Sequence, residues 1–436
     1  MTASLKLATP LAKWPLIILL RTVGAASLSY NGLAQTPQMG WDTYNAYALD
    51  YNESTIITNA ERLVSLGFRD LGYRVVIFDD AMTERNRSSN GTLIENASKF
   101  PSGLRSIADQ LHNDGLEFGV YSSAGKFTWS LIPRFGDFSG GYPGSLGYET
   151  QDAQWWASLG ADYLKYDNCY NEGLSGTPKL SQDRYAAMSN ALNTTGGNFV
   201  YSLCNWGDDK PWNDLDMLEV GNGGMTYDEY KVHFSMWAAI KSPLIMGNKL
   251  DELSPEDYAI LVNPAVLAIG QDPTGSAVSR SVRAQVEDKD QYGFGEVQVW
   301  YGSLANSDQV VAFLNGGNNS RMMSYSLVEV FGGLRTNENA QKSWDLYDVW
   351  GNQTVMPNDV AAQVLNGTLA VGNATGYFNS SEISWALGLN QSNPLLLGTP
   401  AGSVQGGGTL SAEVARHGIQ MWRLRESSSS RKRDEL

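Results

Sequence analysis

The chain has 436 residues, too many for one ordinary core and suited to a large domain followed by a smaller one. Its formal net charge of -15 repels phosphate backbones and argues against nucleic acid as a partner. With 18% charged and 11% aromatic residues the composition is that of a packed globular protein, not a disordered one.

The N-terminal 26 residues read as a signal peptide. Lys6 and Lys13 supply the basic region, WPLIILL at Trp14–Leu20 the apolar one, and Gly24, Ala25 and Ala26 the small residues. The apolar run is too short to span a bilayer and Arg21 interrupts it, so no membrane span is expected. A leader without targeting function is the competing reading. The sequons favour secretion: N-x-S/T occurs at Asn52, Asn86, Asn90, Asn96, Asn193, Asn318, Asn352, Asn366, Asn373, Asn379 and Asn390.

From about residue 30 to 274 strand-like and helix-like segments alternate. The strand candidates are Met39–Tyr47, Arg74–Asp80, Glu117–Ser123, Asp162–Asp167, Phe199–Trp206, Asp214–Val220 and Pro243–Gly247. Most are short apolar runs that stop at a polar residue, as buried parallel strands do. Amphipathic stretches separate them at Ser54–Leu66, Glu149–Leu159, Ser181–Leu192 and Tyr227–Ile240. Such alternation implies a parallel barrel or a doubly wound sheet. From 275 to 426 the pattern turns to short β-rich runs, at Val297–Tyr301, Gln309–Leu314, Tyr325–Val330, Trp344–Asp348 and Gln420–Leu424, which predicts a smaller antiparallel domain. Residues 427–436 form a Ser-rich tail ending RDEL, one residue from the KDEL signal, so the endoplasmic-reticulum lumen stands beside secretion as a destination.

In a barrel the chemistry sits at the C-terminal strand ends. These present Asp79 and Asp80, Tyr121, Lys165 and Asp167, Asn205 and Trp206, then Asp214 and Asp216. Any one of them alone is more simply an ion pair or a helix cap; together they predict a carboxylate-rich pocket. Carboxylates accept bonds from vicinal hydroxyls and aromatic faces pack on sugar C–H groups. Lys165 and Asp167 share one face of a strand, so the ammonium is expected to keep Asp167 ionised. An ionised Asp beneath an anomeric carbon serves as nucleophile in a retaining glycosidase. Three His, none at ligand spacing, argue against a His-based metal site.

The long motifs carry a resemblance. TPQMGW (Thr36–Trp41), FDD (Phe78–Asp80), FGVYSSAG (Phe118–Gly125), PGSLGYE (Pro143–Glu149), KYDNCYN (Lys165–Asn171), SLCNWG (Ser202–Gly207), WNDLDMLEVGNGGMT (Trp212–Thr226), SPLIMGN (Ser242–Asn248) and IGQDP (Ile269–Pro273) follow in fixed order. The chain resembles family 27 glycoside hydrolases, the α-galactosidases and α-N-acetylgalactosaminidases. The resemblance implies an α/β fold, a (β/α)8-type barrel followed by a C-terminal antiparallel β-sandwich. It further implies retaining hydrolysis of terminal α-galactosides without a cofactor. It makes Asp167 the nucleophile, and Asp79, Asp80 and Lys165 ligands of galactose hydroxyls. Tyr121, Asn205, Trp206, Asp216 and Met217 match other pocket positions, and Tyr44 stands where the family usually has Trp.

Two departures stand out. The family has a long segment after SLCNWG, ending in an S-W-R-x-S-x-D-like stretch that holds the general acid/base. Here Asp208–Pro211 joins Gly207 directly to Trp212, so the acid and the unit of strand six are absent and the barrel is expected to be incomplete. Strands five and seven would either lose their partners or pair across the gap. After SSAG, Lys126–Trp129 leads into the extra stretch SLIPRFGDFSGG, and Trp129 takes the position of the family's Cys that pairs with the Cys169 equivalent. The family partner of Cys204 would lie in the missing segment. One translated intron and one skipped exon would produce this pattern; a transcript read across codons 126–142 and 207–212 tests it.

Overall fold

The computed structural model describes residues 32–130, 141–174, 176–204 and 215–427. The proposed signal peptide and the RDEL tail lie outside them.

The first half builds one parallel sheet from β1 (Met39–Asp42), β2 (Val75–Phe78), β3 (Glu117–Ser123), β4 (Tyr163–Asp167), β5 (Val200–Cys204) and β6 (Leu244–Met246), ordered β5-β4-β3-β2-β1-β6. β2 is the apolar run Val75-Val76-Ile77-Phe78, buried throughout, as a strand covered on both faces must be. Helices on the outer face close the layer. Glu53–Ser65 starts at a capping box between Asn52 and Thr55 and buries Ile56, Ala60 and Leu63 at helical spacing. Tyr227–Ile240 starts at the equivalent box between Thr226 and Glu229.

The barrel is incomplete. Leu218 joins β6 through a single parallel bridge to Met246, with Leu218 N donating to the Ile245 carbonyl at 2.7 Å. Among the described residues β5 pairs with β4 at the edge of the sheet. Among the described residues no ladder joins β5 to the Leu218 segment, so the expected alternative of a closed seven-stranded barrel is not realised there.

The second half is antiparallel: β7 (Ser279–Gln285), β8 (Glu296–Ser303), β9 (Gln309–Asn315), β10 (Arg321–Ser326), β11 (Trp344–Asp348), β12 (Thr399–Val404), β13 (Thr409–Val414) and β14 (Gly418–Glu426). One sheet is ordered β12-β11-β14-β9-β8-β7, and β10 pairs with β13. Val299, Phe313, Met323, Leu410 and Trp422 share the core between them. Trp350 Nε1 donates to Ser235 Oγ at 2.9 Å and Asn263 Nδ2 to the Val349 carbonyl at 3.0 Å, tying this half to the parallel one.

Three predicted strands change. Met39–Tyr47 stops at Asp42, because the Asp42 carboxylate accepts from Tyr44 N at 2.9 Å and turns Tyr44–Tyr47 into a helical turn. Asp214–Val220 shrinks to one bridge, Asp216 standing in the left-handed region at φ 74°. Tyr325–Val330 splits at Ser326, which caps the turn Leu327–Val330 through a capping box with Glu329.

Candidate active site

The C-terminal ends of β1 to β5 converge. Lys165 Nζ donates to Asp42 Oδ2 at 2.9 Å and to Asp79 Oδ2 at 2.8 Å, bridging β1 and the end of β2 from β4. Asp79 is fixed from other sides: its Oδ1 accepts from Asp80 N at 2.7 Å, its own N–H bonds Thr43 Oγ1, and its carbonyl accepts from the Tyr51 phenol. Two carboxylates thus share one ammonium, and Asp80 stands next to them. Burial, then repulsion from Asp79, pushes Asp80 up to about 7. Burial also pushes Asp42 up to about 7, Asp79 adding to it and Lys165 opposing. Burial works against the Lys165 charge, yet Asp42 and Asp79 outweigh it and hold the ammonium well above the usual lysine range.

Asp167 is held by other groups. Tyr121 donates its hydroxyl to Oδ2 at 2.7 Å and Asn168 its backbone N–H to Oδ1 at 2.7 Å. Burial raises the Asp167 pKa; the Tyr121, Asn168 and Cys169 hydrogen bonds oppose it, and the Lys165 charge comes after them. Lys165 thus acts on Asp167 in the expected direction, through its charge, while its hydrogen bonds go to Asp42 and Asp79. The segments after β3 and β4 pack closely beside it, since a Cβ at Gly125 would overlap the carbonyl oxygens of Cys169 and Tyr170.

A cavity of about 310 Å³ opens over these groups, lined by Tyr44, Asp79, Tyr121, Lys165, Asp167, Asp216 and Met217 with Asn45, Trp129 and Cys204. Seven of the expected site residues thus come together. Asp80 does not line this cavity. It faces a separate space of about 10 Å³ beside Thr128 and Tyr142, and its Oδ2 accepts from Ser130 N at 3.0 Å and Ser130 Oγ at 2.5 Å. Asn205, Trp206, Asp208 and Asp209 lie outside the described residues. Sequence reasoning missed Asp42, although it directly follows the MGW motif, and the wall formed by Trp129. It considered Cys204 only as a bridge partner, whereas the register places Cys204 opposite Asp167 on the neighbouring strand. Both Cys169 and Cys204 are buried free thiols.

The arrangement offers a buried, oriented carboxylate, an ion-paired polar floor and aromatic walls, which suits a neutral polyhydroxylated ligand. Among the described residues no cluster of His, Cys, Asp and Glu is suited to a metal ion, and no helix is long and apolar enough to cross a membrane.

The family model described as Alpha galactosidase A matches residues 36–211 and 207–272, and that of the Alpha galactosidase C-terminal beta sandwich domain matches 294–371. An α-galactosidase of Zygotorulaspora mrakii is 41% identical over 93% of this chain and 97% of its own length. Alpha-galactosidase 1 of Saccharomyces cerevisiae is 40% identical over 94% and 98%. The solved α-galactosidase of S. cerevisiae with raffinose superposes with a TM-score of 0.85 at 39% identity, covering 92% of this chain and 99% of that one. The first alignment runs over 472 positions, whereas 93% of 436 residues is about 405, so about 67 positions fall opposite gaps in this chain. The family match itself breaks at residues 207–211.

Proposed function

The chain belongs to glycoside hydrolase family 27, the α-galactosidase family, and from that premise we propose that its cavity binds the terminal galactose of α-galactosides with Asp167 as nucleophile. The observation that carries this reading is the pair Tyr121–Asp167 beside the Lys165–Asp79 ion pair in one cavity. One Asp167 oxygen attacks the anomeric carbon while the bond to the leaving oxygen breaks. Water then cleaves the resulting ester, delivering its hydroxyl to the sugar and a proton to the site, with net retention. Asp79 and Lys165 hold hydroxyls, Tyr44 and Tyr121 wall the ring, and Asp216 and Met217 line the opposite rim. Asn205 and Trp206 take their place in this scheme from the family motif alone.

A second reading has a specific observation in its favour. The break at 207–211 falls where the family carries its general acid/base, so a galactose-binding chain with crippled chemistry is the alternative. Turnover of an aryl α-galactoside by the purified chain, compared with Asp167→Asn, separates the two. Loss of turnover with galactose binding retained in the variant supports the nucleophile; undiminished turnover moves it elsewhere.

We also propose a catalytic unit over 30–274, a β-unit over 275–426, and passage through the secretory route as a glycoprotein. All eleven sequon asparagines are exposed or partly exposed, which glycan attachment requires. A mobility shift on endoglycosidase treatment of the chain expressed with its own leader tests the route.

A further inference from the structure

The loop after β3 approaches the cavity in a way the roles above do not use. Phe127 and Pro143 form an antiparallel bridge, Thr128 N donates to the Tyr142 carbonyl at 3.0 Å, and Tyr142 N donates to Thr128 Oγ1 at 3.0 Å. This stem delivers Trp129 and Ser130 to the site. Trp129 N donates to the Tyr121 hydroxyl at 3.3 Å, the same hydroxyl that holds Asp167, while its half-exposed indole walls the cavity. Ser130 places two donors, N–H and Oγ–H, on Asp80 Oδ2 at 3.0 and 2.5 Å. Asp80 is left 2% exposed.

A carboxylate oxygen offers two good acceptor directions, and Ser130 fills both on Oδ2. We propose that Ser130 is an internal competitor for the sugar: its hydroxyl covers Asp80 Oδ2 and keeps that carboxylate out of the cavity lining, so that a ligand in the cavity goes without it. This rests on the galactoside reading above. A sugar hydroxyl that bonds Asp80 Oδ2 does so by displacing a bond already made within the chain, so the exchange gains little. The ring is held by Asp79 and Lys165 in the meantime. Removing the Ser130 hydroxyl leaves the backbone bond in place and frees one acceptor direction for the ligand.

The test is calorimetric titration of D-galactose into four full-length chains: the parent, Ser130→Ala, Asp80→Asn and the double variant. Ser130→Ala is expected to bind about tenfold more tightly than the parent, the size of one charged hydrogen bond, and to lose that gain in the Asp80→Asn background. Ser130→Thr keeps a hydroxyl and is expected to bind like the parent. Should Ser130→Ala fail to fold, Ser130→Gly removes the same hydroxyl and carries the same expectation. Equal affinity in parent and Ser130→Ala would overturn the proposal and leave the galactoside reading standing, as would weaker binding, which would make Ser130 a ligand of the sugar itself. Absence of binding by every folded chain would overturn both.

Discussion

The hydroxyl of Tyr121 on β3 donates to Oδ2 of Asp167 on β4 at 2.7 Å, while Asn168 N–H holds the other oxygen. Asp167, the proposed nucleophile, is therefore oriented from both sides before any ligand arrives. Tyr121→Phe removes one charge-assisted bond and a group that counters the burial-raised pKa of Asp167. Turnover of an aryl α-galactoside is expected to fall about ten- to a hundredfold. The acid limb of its pH–rate profile is expected to move to higher pH, because the carboxylate then loses its proton later. A pH profile identical to the parent's would show that Tyr121 does not tune Asp167.

Lys165 satisfies Asp42 and Asp79 at once, and Asp42 is completely buried. Lys165→Met would leave two interior carboxylates around an apolar side chain. The expected cost is about 3–5 kcal/mol of folding stability, the range for breaking one side of a buried pair. Urea unfolding followed by tryptophan fluorescence measures it. A change below about 1 kcal/mol would mean that the strand ends are held by packing and not by this ammonium.

The same cluster gives stability a pH slope. Asp42 and Asp80 are raised from the ordinary 3.8 to about 7, so the folded chain binds protons that the unfolded chain releases. Their contribution is fully present at low pH and is lost as pH rises through about 7. The melting temperature is expected to rise from pH 8 to pH 6.5. Below that, His233, lowered by burial to about 4, works the opposite way, since the unfolded chain then takes up the proton. Replacing both Asp42 and Asp80 with Asn is expected to flatten the slope between pH 8 and 6.5. An unchanged slope would place its origin elsewhere.

Much of this was legible in the sequence because the parallel strands are short apolar runs ending in polar groups. Glu117–Ser123 and Trp344–Asp348 appear with the bounds expected of them, as do the helices Glu149–Leu159 and Tyr227–Ile240. Exposed strands were not legible: Ser279–Gln285 and Thr399–Val404 carry few apolar residues, and Thr399–Val404 pairs with Trp344–Asp348, far back along the chain. The turn at Leu327–Val330 had a local signal that went unused, the Ser326 to Glu329 spacing of a capping box. Within the site, strand-end residue types and spacing pointed to Asp79, Tyr121, Lys165, Asp167 and Asp216, and the resemblance added Tyr44 and Met217, all seven of which line one cavity. They could not assign partners: Lys165 reaches Asp42 across the sheet, and Ser130 reaches Asp80 from an inserted loop.

Cys169 and Cys204 are both buried and unbridged, Cys169 bonding Asp167 and Cys204 lying opposite it in register. Thiol titration under denaturant is expected to give two equivalents per chain. Without denaturant both should react slowly, because burial pushes the Cys169 thiol far above its usual range and hides the sulfur of each from reagent. Zero equivalents after unfolding would show that the two have paired.

The last expectation concerns proton donation. A sugar leaving group departs as an alkoxide unless it is protonated while the glycosidic bond breaks, whereas an activated aryl group leaves as a stable phenolate. The carboxylates lining the cavity are Asp79, Asp167 and Asp216. Asp79 is occupied by the Lys165 ammonium and the Asp80 N–H, and Asp167 is the proposed nucleophile. Asp216 accepts from Met217 N at 2.8 Å. The S-W-R-x-S-x-D-like stretch that would supply the donor is absent from the sequence after Gly207. Loss of general acid assistance typically costs about 10²–10⁴-fold. Hydrolysis of an aryl α-galactoside with a good leaving group is therefore expected to be measurable, and that of melibiose or raffinose to be slower by that factor. Comparing kcat/KM for the two substrate types on one preparation gives the ratio. Efficient cleavage of raffinose would mean that an acid is present after all. Asp216→Asn and a double replacement of Asp208 and Asp209 would then show which carboxyl supplies the proton.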